Sequence, residues 1–329
     1  MQILDSYITI TLELTYNCNF KCVHCFNSYK KAQDKSLELS LENIKYIVEK
    51  TKKLDILKIY LFGGEPLLNK NFKEIYVFLW NQGFQITITT NGFLLSKKII
   101  DLFKKYPPFN LNISLYGYNS QTYIDTTSFN VFETIYSNLK SLQESNMDFF
   151  IKYIALKTNF NYDLIINFML KNSFNYAIQY SIIPLLNTDL KSLQYQISET
   201  ELKQISPAKN MNLKVDATEH YSVYEKKENR CEVWKQSFVI APNGDMRPCI
   251  PFTNSKKINI FKRIKIENLL LKLGNNFNEN NIYYGKCSKC LDKDFCECPV
   301  IINLYKGKDL SNVCHRTKIK KLKKKVLNK

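Results

Sequence analysis

The chain has 329 residues, of which 45% are hydrophobic, and its formal net charge is +17. A chain of this length buries enough apolar surface for one large domain and a smaller one. Its apolar runs have the length of strands, too short to cross a bilayer, and its first residues lack the basic start and apolar block of a signal peptide. We therefore expect a cytoplasmic protein with no membrane partner.

Much of the positive charge lies in the segment 316–329, which holds eight Lys and Arg residues and no acidic residue. Such a segment is typical of a solvated chain end. It could also bind an acidic partner, for which a peptide is a better candidate than a nucleic acid.

Strand-like and helix-like periodicities alternate through the first half of the chain. The predicted strands cover 7–14, 56–62, 84–90, 110–117, 148–156 and 175–184. The predicted helices cover 40–54, 72–83, 96–106, 131–145 and 162–173. This alternation predicts an α/β fold with a parallel sheet and crossover helices. Six units are too few for a closed eight-fold barrel, so we expect a partial (β/α)6 TIM-type barrel.

Polar and glycine-rich motifs follow the first four predicted strands. A loop with three cysteines follows the first strand, Gly63-Gly64-Glu65-Pro66 follows the second, Asn91-Gly92 follows the third, and Ser114 lies near the end of the fourth. In parallel α/β folds the chemistry is found at the carboxyl ends of the strands. These motifs therefore predict a ligand site on one rim.

The pattern divides the chain into four parts. Residues 1–185 form the predicted barrel, and 186–230 are a polar bridging region. A cysteine-rich domain covers 231–315, and 316–329 form the basic tail.

The ten cysteines fall almost entirely into tight clusters. In a reducing compartment they are better metal ligands than disulfide partners. The first cluster has the spacing Cys18-x3-Cys22-x2-Cys25. It fits a zinc site completed by His24, or an iron–sulfur cluster with one iron left open.

This motif, placed after the first strand of a partial barrel, resembles that of the radical S-adenosylmethionine (SAM) superfamily. Gly63-Gly64-Glu65-Pro66 is similar to the family's "GGE" element, and His24 stands where the family carries an aromatic ring. The resemblance implies a 4Fe–4S cluster on Cys18, Cys22 and Cys25, with SAM chelated to the open iron. A 5′-deoxyadenosyl radical would then abstract a hydrogen atom from the substrate.

The same resemblance implies further contacts with SAM. Residues 63–66 would meet its amino group, and glycines there would let the backbone approach the ligand closely. Ser114 would lie near the ribose and carboxylate of SAM, and the Asn91-Gly92 loop would line the pocket.

The remaining seven cysteines resemble a SPASM domain, the extension of radical SAM enzymes that holds two auxiliary 4Fe–4S clusters. The resemblance implies that one cluster is fully ligated by Cys287, Cys290, Cys296 and Cys314. It implies that the other is held by Cys231, Cys249 and Cys298. Only Glu297 separates Cys296 from Cys298, where the family usually has three residues. A zinc knuckle on Cys287, Cys290, Cys296 and Cys298 is the alternative.

SPASM enzymes mostly modify peptides or proteins, so the resemblance implies a maturase of a ribosomally made peptide. Sulfatase-type maturation is disfavoured, because Ile250 replaces the Asp that follows the aligned cysteine in those enzymes. Asp125, Glu65 and Tyr116 are the candidate bases near the rim.

The expected partners are a precursor peptide, a separate leader-binding protein and a flavodoxin or ferredoxin-type reductant. A radical SAM dehydrogenase acting on a small molecule is the enzymatic alternative. An iron–sulfur electron carrier or a zinc-stabilised nucleic-acid-binding protein is the non-enzymatic one.

Overall fold

A nine-stranded, mostly parallel sheet organises the computed structural model, which describes residues 9–27, 36–180, 182, 191–197, 235–250, 252 and 257–280. The strands are β1 Thr9–Glu13, β2 Lys58–Phe62, β3 Gln85–Thr90, β4 Asn110–Leu115, β5 Phe150–Ile154, β6 Tyr176–Gln179, β7 Ser237–Ile240, β8 Asp245–Arg247 and β9 Ile258–Asn259. The helices are α1 Leu41–Thr51, α2 Phe72–Asn81, α3 Lys97–Lys105, α4 Ser120–Thr127, α5 Phe132–Glu144, α6 Tyr162–Lys171 and α7 Ile266–Asn280.

The spatial order of the strands is β6-β5-β4-β3-β2-β1-β7-β8-β9. The first seven are parallel to one another, and β8 is antiparallel to both β7 and β9. Strands β1 to β6 follow each other with crossover helices between them, as the alternation predicts. The α/β class and the partial barrel are thus confirmed. The sequence interpretation missed α4, whose start is marked by a capping box between Asn119 and Thr122.

Side-chain alternation along the strands separates an apolar face from a polar one. One face carries buried aliphatic residues that pack under the helices, among them Ile59, Ile88 and Ile113. The opposite face carries Thr11, Tyr60 and further polar groups that line a cavity. The cavity lining therefore combines polar and apolar side chains, and the cavity is open to a ligand at one end.

The C-terminal segment continues the barrel sheet, because β7 pairs in parallel with β1. A salt bridge of 2.6 Å joins Arg247 Nη2 on β8 to Glu13 Oε1 on β1, and both side chains are buried. On the outer side, Lys50 Nζ of α1 donates to the carbonyls of Ile260 and Lys262 at 2.6 Å. We refer to residues 231–315 as the second region. These contacts connect its described part to the barrel.

The predicted domain boundaries stay a prediction. Residues 191–195 form a short 3-10 turn, and most of the bridging region lies outside the described residues. The basic tail, 316–329, also lies outside them. Where the chain is described, none of the helices combines the length and apolar content that crossing a bilayer requires.

Candidate cofactor site

A cavity of about 250 Å³ opens at the carboxyl ends of the barrel strands. Cys18, Cys22 and Cys25 line it and are half-buried. The other predicted contacts that line it are His24, Gly63, Gly64, Glu65, Asn91 and Ser114. The structure therefore brings motifs from three separate loops and from strand β4 to one place, the carboxyl end of the sheet.

Pro66 and Asp125 lie apart from this lining. Pro66 is buried at the first position of the 3-10 turn Pro66–Leu68, where its ring favours the turn. Asp125 is exposed on α4, and its carboxylate accepts a hydrogen bond from Gln121 Nε2 at 2.8 Å. Of the three candidate bases, only Glu65 and Tyr116 line the cavity.

The two glycines after β2 pack against the chain that leads into the cysteine loop. Gly64 N donates to Thr15 O at 2.7 Å, and Glu65 N donates to Asn17 O at 2.8 Å. A Cβ on Gly64 would lie 2.1 Å from Asn17 O, and one on Gly63 would lie 2.5 Å from Thr15 O. Gly63 also has a φ of +144°, which L side chains rarely adopt. Backbone packing against the cysteine loop thus requires glycine at both positions. The sequence predicted the glycines only as a place where the backbone approaches a ligand.

The Glu65 carboxylate joins the loops after β2 and β3. Its Oε1 accepts hydrogen bonds from Thr90 Oγ1 at 2.7 Å and Leu67 N at 3.1 Å, and its Oε2 accepts one from Asn91 N at 2.8 Å. Glu65 is only 1% exposed. These bonds give the carboxylate a structural role, because they join the loops after β2 and β3.

Asn91 extends this network to the cysteine loop. Its Nδ2 donates to Asn19 Oδ1 at 2.8 Å, while its Oδ1 accepts from Phe93 N at 3.0 Å. Asn19 lies directly after Cys18, so the loop after β3 holds the cysteine loop from one side.

Helix α4 holds the cysteine loop from the other side. Lys21 N donates to Thr127 O at 3.3 Å, and Val23 N donates to Thr126 O at 3.0 Å. Both carbonyls belong to the last turn of α4, where helix carbonyls lack intrahelical partners. The cysteine loop therefore caps the end of this helix.

Phe20 anchors the centre of the loop and is 2% exposed. Its ring stacks on Phe129 at a centroid distance of 6.1 Å and meets Phe93 and Tyr116 edge-on at 6.0 and 6.4 Å. Because Phe20 lies between Cys18 and Cys22, this packing orients the backbone on which both thiols are carried.

Tyr116 lines the cavity together with the three cysteines, and the centroid of its ring lies 5.3 Å from that of His24. Burial raises the pKa of Tyr116 well above its usual value, and negative charge on Cys22 and Cys18 raises it further. A hydrogen bond with Ser114 acts in the opposite direction. The phenol is therefore neutral at physiological pH and acts as a hydrogen-bonding group.

The residues present fit an iron–sulfur cluster and a polar ligand. Three thiols line one cavity, and thiolates are the ligands of such clusters. Phe20 N donates to Cys18 Sγ at 3.5 Å, the kind of outer hydrogen bond that tunes a ligating sulfur. No group of three His, Cys, Asp or Glu side chains among the described residues converges on a single metal ion.

One described cysteine of the second region precedes a residue of the cavity lining. Cys249 is half-buried, and Ile250, the residue after it, lines the cavity. The six other cysteines lie outside the described residues: Cys231, Cys287, Cys290, Cys296, Cys298 and Cys314.

Comparison with known proteins decides the family of the barrel. Residues 12–165 match the Radical SAM superfamily. The chain carries a radical SAM domain. The match begins within β1 and ends within α6, so the matched range includes Cys18, Cys22 and Cys25.

Curated relatives of the radical SAM domain act on different substrates, as their names show. The chain is 30% identical over 132 residues to the GTP 3′,8-cyclase of Haemophilus influenzae, 39% of each protein. It is 30% identical over 118 residues to the mycofactocin maturase MftC of Mycolicibacterium smegmatis, 36% of this chain and 30% of MftC. The chain therefore spans less than half the length of these two relatives.

The fold of the radical SAM domain and its extension is similar to that of Streptococcus suis SuiB, which was crystallised with its precursor peptide SuiA. The TM-score is 0.70 at 18% identity, over 90% of this chain and 72% of SuiB. At this identity the likeness concerns the fold.

Proposed function

We propose that this protein is a radical SAM maturase that modifies a ribosomally synthesised peptide. The observation that carries the proposal is the convergence of Cys18, Cys22 and Cys25 with the Gly63-Gly64-Glu65 loop on one cavity of a radical SAM domain. The fold likeness to SuiB and the sequence similarity to MftC, a maturase by its name, support a peptide substrate.

The described residues would have distinct tasks in this reaction. The three cysteines would hold a 4Fe–4S cluster, and Gly63, Gly64, Asn91 and Ser114 would surround SAM. When bound, the cluster and SAM supply a carbon-centred radical that removes a hydrogen atom from the substrate. His24 and Tyr116 would wall the cavity beside the thiols and limit the access of water, which otherwise competes for a reactive intermediate.

The second region would supply two auxiliary clusters as a SPASM domain, giving three 4Fe–4S clusters in all. The position of Ile250 in the cavity lining supports a role of this region next to the substrate. We further propose a separate leader-binding protein, a flavodoxin or ferredoxin-type reductant and a cytoplasmic location.

A second candidate is a radical SAM enzyme that acts on a small molecule. The 30% identity to a GTP 3′,8-cyclase favours it, because this match covers a similar share of the chain to the match with MftC. The non-enzymatic alternative, an electron carrier, predicts no cleavage of SAM.

Anaerobic reconstitution with iron and sulfide, followed by reduction in the presence of SAM, tests the proposal. We expect 5′-deoxyadenosine from the wild type and none from Cys22→Ala. Addition of a precursor peptide encoded beside the gene should change the peptide's mass. Cleavage of SAM with consumption of GTP and no change in the peptide would favour the small-molecule enzyme instead, and absence of 5′-deoxyadenosine would contradict both.

A further inference from the structure

Asn27 is a buried amide in the wall of the cavity. It lies two residues after Cys25, lines the cavity and is 3% exposed. Neither its Nδ2 nor its Oδ1 has a hydrogen-bond partner among the described residues. A buried amide without partners costs free energy, because its hydrogen bonds to water are lost and not replaced. Such a group in a cavity wall indicates a ligand that supplies the missing bonds.

Asn69, an equally buried asparagine outside the cavity, has partners at both ends of its amide. It is 3% exposed. Its Nδ2 donates to the carbonyls of Leu14 and Leu39, both at 3.0 Å, and its Oδ1 accepts from Asn71 N at 2.8 Å. The fold thus satisfies one asparagine of this burial completely and leaves the bonding groups of Asn27 open.

Apolar side chains line the cavity together with Asn27. Phe26 precedes it, and the Phe26 ring stacks on that of Phe62 with 6.2 Å between centroids and 5° between planes. Ile250 of the second region also lines the cavity. Hydrogen bonds are stronger in such surroundings than in water, and a few polar groups among apolar walls orient a ligand.

The ligand of Asn27 must offer a donor and an acceptor together, because both ends of the amide are open. The sulfur atoms of a cluster and the carboxylate of SAM only accept hydrogen bonds, and the ammonium group of SAM only donates them. An extended peptide has the required pair. The N–H and C=O of one residue point to the same side of such a chain, as they do in a hydrogen-bonded pair of an antiparallel sheet.

We propose that Asn27 binds the backbone of the peptide substrate. Its Nδ2 donates to the C=O of one substrate residue, and its Oδ1 accepts from the N–H of the same residue. This inference rests on the proposed function and names the part of the substrate that the cavity recognises. Because Asn27 follows Cys25 by two residues, a peptide held there lies beside the cofactor.

Two isosteric probes test this contact: Ac-Ala-Ala-Ala-NHMe and its all-ester analogue, in which L-lactate replaces each alanine and a methyl ester replaces the methylamide. The ester probe has no N–H donor. Binding of each probe to the reconstituted full chain with SAM is measured by anaerobic calorimetry. We expect the wild type to bind the amide probe about tenfold more tightly, the ratio expected from one or two net hydrogen bonds.

Asn27→Leu should reduce this ratio to about one, because leucine has a similar size and no hydrogen-bonding group. Asn27→Asp should also reduce it, since a carboxylate cannot donate. Asn81→Leu is the matched control, because Asn81 is exposed at the end of α2 and lies outside the cavity lining. It should leave the ratio unchanged.

Denaturant unfolding of the reconstituted chain without SAM or probe gives a second readout. Asn27→Leu should not lower the unfolding midpoint, because the amide that it removes makes no hydrogen bond in the described structure. Asn69→Leu should lower the midpoint, because it removes a buried donor from two carbonyls. Equal losses in the two variants would show that Asn27 serves the fold and would overturn the inference.

Equal binding of the two probes by the wild type, binding of neither probe, or a ratio that persists in Asn27→Leu also overturns it. If Asn27→Leu weakens the binding of SAM and leaves the ratio unchanged, the amide binds the cofactor, whose adenine offers a donor beside an acceptor. The inference is then wrong. Formation of 5′-deoxyadenosine by the wild type is scored separately, so failure of the proposed function is distinguishable.

Discussion

At the scale of single residues, Gly64 shows how a short motif acts through backbone contact. Its amide donates to Thr15 O, and a Cβ would lie 2.1 Å from Asn17 O. Neither atom can move without moving the chain that carries Cys18. The glycine is therefore a packing residue of the cysteine loop as well as a wall of the cavity.

We expect Gly64→Ala to displace the cysteine loop and to lower the iron bound after reconstitution severalfold. Its free energy of unfolding should fall by about 1–3 kcal/mol, the usual cost of overpacking. Iron content per chain and denaturant unfolding measure the two effects.

Gly83→Ala is the control for this substitution. Gly83 has a φ of +83°, and a Cβ there meets nothing within 4 Å. Its cost should be about 1 kcal/mol from backbone strain, with normal iron content. Full iron binding by Gly64→Ala would show that the contact with Asn17 does not hold the loop.

At the scale of elements, the cysteine loop is held by three others. The loop after β2 binds Thr15 and Asn17, the loop after β3 binds Asn19, and the end of α4 binds Lys21 and Val23. Two of these contacts are backbone hydrogen bonds, and the third joins the side chains of Asn91 and Asn19.

Phe20→Ala tests the aromatic anchor of this loop. Because Phe20 is buried against Phe93, Tyr116 and Phe129, its truncation should cost about 3–5 kcal/mol and weaken iron binding. Phe109→Ala is the matched control, since Phe109 is 53% exposed. Equal stability and iron content in the two variants would contradict the anchor role.

At the scale of the whole molecule, β1 joins the two regions. It pairs with β2 on one side and β7 on the other, and Glu13 at its end forms the buried salt bridge with Arg247. The strand that leads into the cysteine loop is therefore also the strand that holds the second region.

A double-mutant cycle tests this link. Glu13→Gln or Arg247→Met alone should lower the free energy of unfolding by about 3–5 kcal/mol, because each leaves a buried charge without its opposite charge. The combined variant should lose less than the sum of the two. Additive losses in denaturant unfolding would mean that the two charges do not stabilise each other.

Buried tyrosines predict a loss of stability in alkali. Burial raises the pKa values of Tyr76 and Tyr153, whose hydroxyls donate to Tyr106 O at 2.6 Å and Asn159 O at 2.9 Å. The folded state therefore holds these protons more tightly than the unfolded state does. Their contribution is fully present below pH of about 10 and is lost as the pH rises further.

Denaturant unfolding at increasing pH measures this loss. The free energy of unfolding should fall by about 1.4 kcal/mol per pH unit above pH 10 for each such tyrosine. Tyr76→Phe should reduce the slope, and an unchanged slope in this variant would exclude Tyr76 as a contributor.

Local patterns were sufficient for the strands and helices of the barrel and for the rim that gathers the motifs. Period-two and helical spacing are local properties, and parallel strands bring their carboxyl ends to one edge. The sequence did not predict the short helix α4, because its eight residues, SQTYIDTT, have little apolar periodicity. The available signal was the capping box between Asn119 and Thr122.

The sequence by itself determined the parallel barrel and the cysteine motif, because both depend on the spacing of neighbouring residues. The tertiary structure decided what those residues contact. It packs Gly64 against the backbone of Asn17 and hydrogen-bonds Glu65 to the loop after β3. It also pairs β7 with the edge of β1 that β2 does not occupy. It also placed Lys152 and Ile250 in one cavity. Such contacts join residues far apart in the chain, and only the packing of the sheet brings them together.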